Sequence, residues 1–532
     1  MTTVSARIAE SLSRTVTDVF GVMGNGNAYF LDALSALGVR FTALRHEAGA
    51  VAAADAYFRA SGRLAVATTT YGAGFTNALT PLAEAVQAHT PLVVVVGDAP
   101  TDAPRPWDVD QLALATAVGA TTLVAGTADA GSIADEAVRL ALELRTAVVL
   151  TIPYDLAAAT AGPTAAAPVE LVEAPLPSIS AALAMLATAR RPLVLAGRGA
   201  WLDDSAVPLS ALAERLGALT ATTALAVNLF GDSPWDLGIA GGFGSPEAAA
   251  VMREADVVVV AGASLSQFTT RFGELFAPDA RLIQLDVAAA ATHPRVTELL
   301  TGGVRATALA LVAGIAGASR PRWKAEVPRG RAPEFTGEPL LPDGRLDPRA
   351  LATALERALP TDRTIVQDGG HFIGWAPMYL TIPAPNRLLM VGTAYQSIGL
   401  GFPSAVGAAM ALPETTVVLC TGDGGALMAL ADFETFVRTA RSGVVVVFND
   451  AAYGAELHQY SALDHGAMLI PEVDFAGLSR SLGASAVSVR TLAELSGLEE
   501  WTGTGVLVLD CHVSRSVIAP YLREWMHAAH LD

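Results

Sequence analysis

The sequence predicts an α/β protein of three doubly wound parallel-sheet domains. Two observations carry this. Short Val/Ile/Leu-rich runs alternate with longer Ala-rich amphipathic stretches, the pattern of buried parallel strands covered by helices. Two Pro-rich segments, 160–178 and 319–346, then cut the 532 residues into blocks of domain size. The strand runs are Leu92 to Val96, Ala147 to Ile152, Pro192 to Ala196, Val257 to Ala261, Leu282 to Leu285, Val417 to Cys420, Val444 to Phe448 and Val506 to Leu509. The expected domains are 1–165, 178–320 and 345–532.

Composition narrows the function. Hydrophobic residues make up 52% and charged residues 16%, which favours a well-buried globular protein. The net charge of −18 repels a polyanion, so a small-molecule ligand is expected and nucleic acid is not. The longest apolar runs, such as Ala306 to Ala318, are short of the roughly 20 residues a bilayer needs. No basic segment followed by an apolar run opens the chain, so a cytoplasmic protein is expected. Cys420 and Cys511 lie in or beside strand runs and read as buried hydrophobes. Lys324 is the only lysine, and its Pro/Arg-rich setting suits neither a Walker-type phosphate loop nor a pyridoxal Schiff base.

The densest chemical signal runs from Thr416 to Glu456. A strand run ends in Gly422, Asp423, Gly424 and Gly425. A helical segment and a second strand run follow, ending in Asn449, Asp450, Ala451 and Ala452. Asp423 and Asp450 are 27 residues apart, the length of one strand–helix–strand crossover, so both can sit at the carboxyl ends of neighbouring strands. Two carboxylates placed there can share a hard cation such as Mg²⁺, and the glycines let backbone N–H groups approach a diphosphate. A plain tight turn with Asp423 as a helix cap would use the same letters.

The Gly-Asp-Gly motif with its distant Asn-Asp resembles that of the thiamine-diphosphate-dependent enzymes, more closely the acetolactate synthase-like and 2-oxo acid decarboxylase group. The resemblance implies that Asp423, Asp450 and the Ala452 carbonyl hold Mg²⁺ or Ca²⁺, with Asp450 where many members have Asn. Gly422, Gly424, Gly425 and Tyr453 would border thiamine diphosphate. Further segments match in family order. GTAYQSIGLGFPSAVGAAMALP, 392–413, implies pyrimidine contacts from Gln396 and a bend of the cofactor over Ile398. QDGGHFIGW, 367–375, is similar to a diphosphate turn and implies Gly370 and His371, the latter facing substrate. LRHEAGAVAAADAYFRASG, 44–62, puts Glu47 at the place of the family's proton-shuttling acid; that role suits a carboxyl group in apolar surroundings. TTTYGAGFTN, 68–77, puts Gly74 and Asn77 beside the pyrimidine and Thr70 and Tyr71 on the substrate side. VFGVMGNGN, 19–27, puts Asn25 at a substrate-dependent position.

What this implies about the reaction is a carboligase joining an enamine from a small 2-oxo acid to a carbonyl acceptor. Two alternatives remain: a non-oxidative 2-oxo acid decarboxylase with carboligase side activity, and an inactive cofactor-binding relative. No His-His pair of the pyruvate decarboxylase type occurs in the sequence. In PRPWDVDQ, 104–111, Trp107 stands where acetolactate synthases carry Gln. In YGAELHQY, 453–460, Glu456 and His458 are a candidate proton relay. The central block, with GASLSQFTTRFGELFAPDARLIQLD at 262–286, resembles a domain that holds FAD in some members and is empty in others. The family pattern further implies a homodimer or homotetramer whose active sites lie between chains.

Overall fold

The computed structural model describes residues 2–163, 175–328 and 330–529. It consists of three six-stranded sheets, and every strand pairing within them is parallel. The first contains β1 (Asp18–Gly21), β2 (Arg40–Ala43), β3 (Val66–Thr69), β4 (Leu92–Asp98), β5 (Thr121–Val124) and β6 (Ala147–Pro153), in the order β2-β1-β3-β4-β6-β5. The second contains β7 (Pro192–Ala196), β8 (Leu219–Thr222), β9 (Asp236–Ile239), β10 (Val257–Ala261), β11 (Arg281–Asp286) and β12 (Val296–Thr301), in the order β12-β11-β10-β7-β8-β9. The third contains β13 (Arg363–Gln367), β14 (Leu388–Leu389), β15 (Thr416–Gly422), β16 (Ser442–Asn449), β17 (Ser485–Val489) and β18 (Gly505–His512), in the order β14-β13-β15-β16-β18-β17.

The central strands are apolar on both faces because helices cover both: β7 and β10 are buried at every position. Cys420 and Cys511 are buried and free in neighbouring regions of the third sheet, and burial pushes the Cys420 thiol up to about 12. Most of the Pro-rich segment 160–178 lies outside the described residues. Among its described residues the segment 319–346 carries no helix, and two isolated bridges join Leu346 to Leu340 and to Val513. No helix among the described residues is long and apolar enough to cross a membrane.

The two outer sheets are joined by one helix pair. The helix Glu47–Ser61 lies on the helix Gly401–Ala411, and the contact is close because both are rich in Ala and Gly. A Cβ on Gly407 would overlap the carbonyl oxygen of Ala53. The buried residues around this pair form one continuous apolar cluster, from Phe20 in the first sheet to Val508 in the third. The middle sheet has separate clusters of its own.

A buried ion network pins the same junction. Arg59 donates to Asp55 at 2.6 and 2.9 Å, to Glu84 at 2.9 Å and to the Met390 carbonyl at 2.9 Å. Glu84 in turn accepts the Tyr395 N–H at 2.7 Å. Each charge is therefore partnered, as burial demands. The network braces the 390–396 loop, which leads into Gln396 and Ile398.

Candidate active site

Strands β15 and β16 are neighbours in register, with Gly422 opposite Phe448. Asp423 starts the helix that follows β15, and Asp450 follows the last residue of β16. Both carboxylates are buried. Asp423 Oδ1 accepts the Gly424 N–H at 2.9 Å, while Oδ2 has no partner among the described residues. Asp450 Oδ1 accepts the Ala452 N–H at 3.1 Å. Burial raises the Asp423 carboxyl to about 6 against the pull of nearby backbone amides. Burial, and then the charge of Asp423, raise Asp450 to about 7. Two desolvated like charges with an orphaned oxygen are stabilised by a shared cation. The oxygen-only donor set of Asp423, Asp450 and the Ala452 carbonyl suits Mg²⁺ or Ca²⁺. No three His, Cys, Asp or Glu side chains that could hold a metal gather among the described residues.

The glycines around this pair make room for backbone. A Cβ on Gly424 would lie 2.6 Å from the Tyr453 ring, and one on Gly369 would lie 2.8 Å from Ile398 Cγ2. Gly370 and Gln396 have positive φ, 144° and 59°; the second is a left-handed conformation that a non-glycine residue adopts at a cost. Gly424 thus lies against Tyr453 beside Asp423, and Gly369 lies against the Ile398 turn.

Asp368 organises these turns, and the sequence reading named no role for it. Its Oδ1 accepts the N–H groups of Gly369 at 2.8 Å and Gly399 at 2.9 Å, and its Oδ2 accepts from Thr421 Oγ1 at 3.2 Å. One fully buried carboxylate therefore ties the Gly369–Gly370 turn to the Ile398 turn and to the end of β15. Burial raises its pKa and the amides oppose that rise. The only signal was its place within QDGGHFIGW.

His371 and His458 meet in space, with ring centroids 4.8 Å apart. His371 Nε2 accepts the Ala519 N–H at 2.9 Å. Burial, aided by the charge of His458, drives His371 down to about 3. His371 is therefore a neutral imidazole with its proton on Nδ1. Tyr521, in the helix Pro520–Ala528, donates its hydroxyl to the Gly370 and His371 carbonyls at 3.0 and 3.1 Å. His458 Nε2 is buried without a hydrogen-bond partner among the described residues, and burial lowers the pKa of the ring. The ring neighbour of His458 is thus His371. The Glu456 carboxylate is exposed and makes no hydrogen bond or ion pair among the described residues.

The first domain contributes a second group. Glu47 is the first residue of its helix, and His46 caps that helix by accepting the Ala48 N–H. Asn77 donates to Glu47 Oε2 at 3.0 Å, and a Cβ on Gly74 would sit 3.4 Å from Oε1. Asn25, Thr70, Tyr71 and Trp107 line one hollow of about 460 Å³ with Gly72 and Ala73. Gln111, buried, supports it: its amide accepts the Gly72 N–H at 2.7 Å and donates to the Gly97 carbonyl at 2.9 Å. Glu47 is partly exposed and Asn77 exposed in the single chain. The apolar setting expected for Glu47 therefore needs a further covering surface. No hydrogen bond among the described residues joins Glu47, Gly74 or Asn77 to the Asp423 group.

Comparison with known proteins agrees with this geometry. Residues 2–115 match the thiamine pyrophosphate enzyme N-terminal binding domain, 179–311 the central domain and 368–511 the C-terminal binding domain of the same enzymes. The chain is 30% identical over 453 residues to the acetolactate synthase isozyme 2 large subunit of Escherichia coli, covering 82% of this chain and 81% of that one. It is 28% identical over 534 residues to a sulfoacetaldehyde acetyltransferase of Castellaniella defragrans, covering 93% and 89%. A thiamine diphosphate-dependent 4-hydroxybenzoylformate decarboxylase of Rhodococcus jostii has the same fold, with a TM-score of 0.81 at 21% identity over 96% of this chain and 99% of that one. With both halves of the cofactor site built on the matched domains, the chain belongs to the thiamine-diphosphate-dependent enzymes, in their acetolactate synthase-like group.

Proposed function

We propose that the protein is a carboligase that decarboxylates a small 2-oxo acid and adds the remaining carbon unit to a carbonyl acceptor, at sites formed between two chains. The observation that carries this reading is the buried Asp423–Asp450 pair with its unpartnered oxygen, set among glycine turns. Asp423, Asp450 and the Ala452 carbonyl would hold Mg²⁺ or Ca²⁺. The amides of Gly370, Gly422, Gly424 and Gly425 would face the diphosphate, and the Gln396 turn and Ile398 the rings, with Tyr453 alongside. Thiamine diphosphate supplies the carbon nucleophile and electron sink that 2-oxo acid chemistry requires.

The chain's own groups bind, orient and move protons. Glu47 from one chain would hold and release a proton at Oε1, the oxygen that Asn77 leaves free. Gly74 would keep the space beside it open. His371 would present its Nδ1 proton toward the reacting carbonyl, its orientation set by Ala519. His458 would exchange protons with it. Asn25, Thr70, Tyr71 and Trp107 would shape the substrate side. The spatial histidine pair also favours a second reading, a 2-oxo acid decarboxylase that protonates rather than ligates.

The test is Glu47→Gln, with CO₂ release and carbon–carbon products read separately over a panel of 2-oxo acids and aldehydes. The variant should retain the cofactor through gel filtration while CO₂ release falls by about 100-fold or more. An unchanged rate refutes the role of Glu47. CO₂ with free aldehyde as the only product selects the decarboxylase.

A further inference from the structure

The hollow on the first domain has walls of one chemical kind. Its lining is aromatic (Tyr71, Trp107) or small and uncharged (Asn25, Thr70, Gly72, Ala73). Trp107 is 60% exposed, so one of the largest apolar side chains stands open to solvent. Such exposure of a ring at the mouth of a hollow marks a surface that gains by being covered.

The nearby cation is not available to an anion. Arg105 donates to Asp108 through three side-chain contacts, 2.7, 3.0 and 3.3 Å, and its own backbone N–H donates to the same carboxylate at 2.6 Å. Its guanidinium lies over the Tyr71 ring at 4.0 Å and over Tyr154 at 4.7 Å, so it is both neutralised and wedged between rings. Tyr71 and Tyr154 meet edge to face at 5.9 Å. Arg105 and Asp108 therefore serve as a clamp that holds the aromatic wall. An anionic group entering the hollow would lose water without gaining a partner, whereas a flat or alkyl group loses little and covers Trp107. On the other half of the site, burial holds His371 neutral.

Resting on the carboligase reading, we propose that the acceptor carbonyl carries an uncharged aromatic or alkyl group, and that Trp107 and Tyr71 select it over a second 2-oxo acid. The complete dimeric enzyme, loaded with cofactor and Mg²⁺, should be given one 2-oxo acid donor with benzaldehyde or glyoxylate as acceptor. Wild type should favour benzaldehyde by about tenfold or more in kcat/KM, Trp107→Phe should keep that ratio, and Trp107→Gln should lower it about tenfold. Isothermal titration of the two acceptors into the protein reads the same preference without turnover. Equal or better use or binding of glyoxylate by wild type, or an unchanged ratio in Trp107→Gln, overturns the inference. Absence of CO₂ release from every donor overturns the carboligase reading instead, and the titration then still decides which group the hollow prefers.

Discussion

Asp236 shows how one side chain makes stability depend on pH. It lies at the start of β9, accepts from Thr220 Oγ1 at 2.9 Å and from the Gly238 N–H at 3.2 Å, and burial raises its carboxyl to about 6. Its ordinary value is 3.8. The folded state therefore disfavours its charge, and the penalty is absent below the ordinary value and grows as pH rises toward the raised one. Asp236→Asn removes the charge; its amide oxygen can still accept the Gly238 N–H, and its NH₂ can donate to Thr220 Oγ1 in place of the bond that Thr220 now donates. Urea unfolding should show the variant more stable than wild type at pH 8, with the difference vanishing near pH 4. A constant difference across that range would mean that the charge is not the cause. Asp423 and Asp450 carry the same kind of burden, and in the proposed function a cation would relieve it.

Among the elements, the helix pair Glu47–Ser61 and Gly401–Ala411 is the most sensitive. Gly407→Ala places a methyl group against the Ala53 carbonyl, where backbone must move to admit it. We expect a loss of about 1–3 kcal/mol in chemical denaturation, since overpacking at a tight crossing is relieved only by separating the helices. Cofactor affinity should fall with it, because this helix starts at Glu47 and the other follows the Ile398 turn. The elements differed in how plainly the sequence announced them. β7 and β10 were legible to the residue, because four or more consecutive apolar side chains between helical stretches fit only a doubly covered strand. β2, Arg40–Ala43, was not, because its exposed and half-buried positions make it an edge strand without an apolar run. The motif residues were legible because glycine turns and paired acids impose local rules. The His371–His458 contact was not, because it joins two short helices 87 residues apart in sequence and depends on how β13 and β16 are arranged in the sheet. Asp368 stayed unread for the same reason: the Gly399 amide that it holds lies 31 residues further on.

At the scale of the whole molecule, the separated halves of the site predict complementation. Glu47→Gln and Asp423→Ala should each be inactive alone. In a mixed dimer, one site gathers both defects and the other has neither. Co-purified equal mixtures should recover about a quarter of wild-type activity after random exchange. No recovery in mixtures shown to exchange chains would place Glu47 and Asp423 of a single site on the same chain. The apolar cluster that runs from Phe20 to Val508 has a different consequence, for the order in which the protein is made. A ribosome delivers the first sheet long before Phe402, Phe433 and Val508, which complete its packing. The middle sheet is closed mostly on its own clusters, with Ile239 and Phe243 among the residues that pack into the third sheet's core, so most of it can fold as it emerges. The nascent chain therefore matures from its centre outward, holding an unfinished apolar face at its leading end until synthesis is nearly over, and that interval is when it most needs a chaperone.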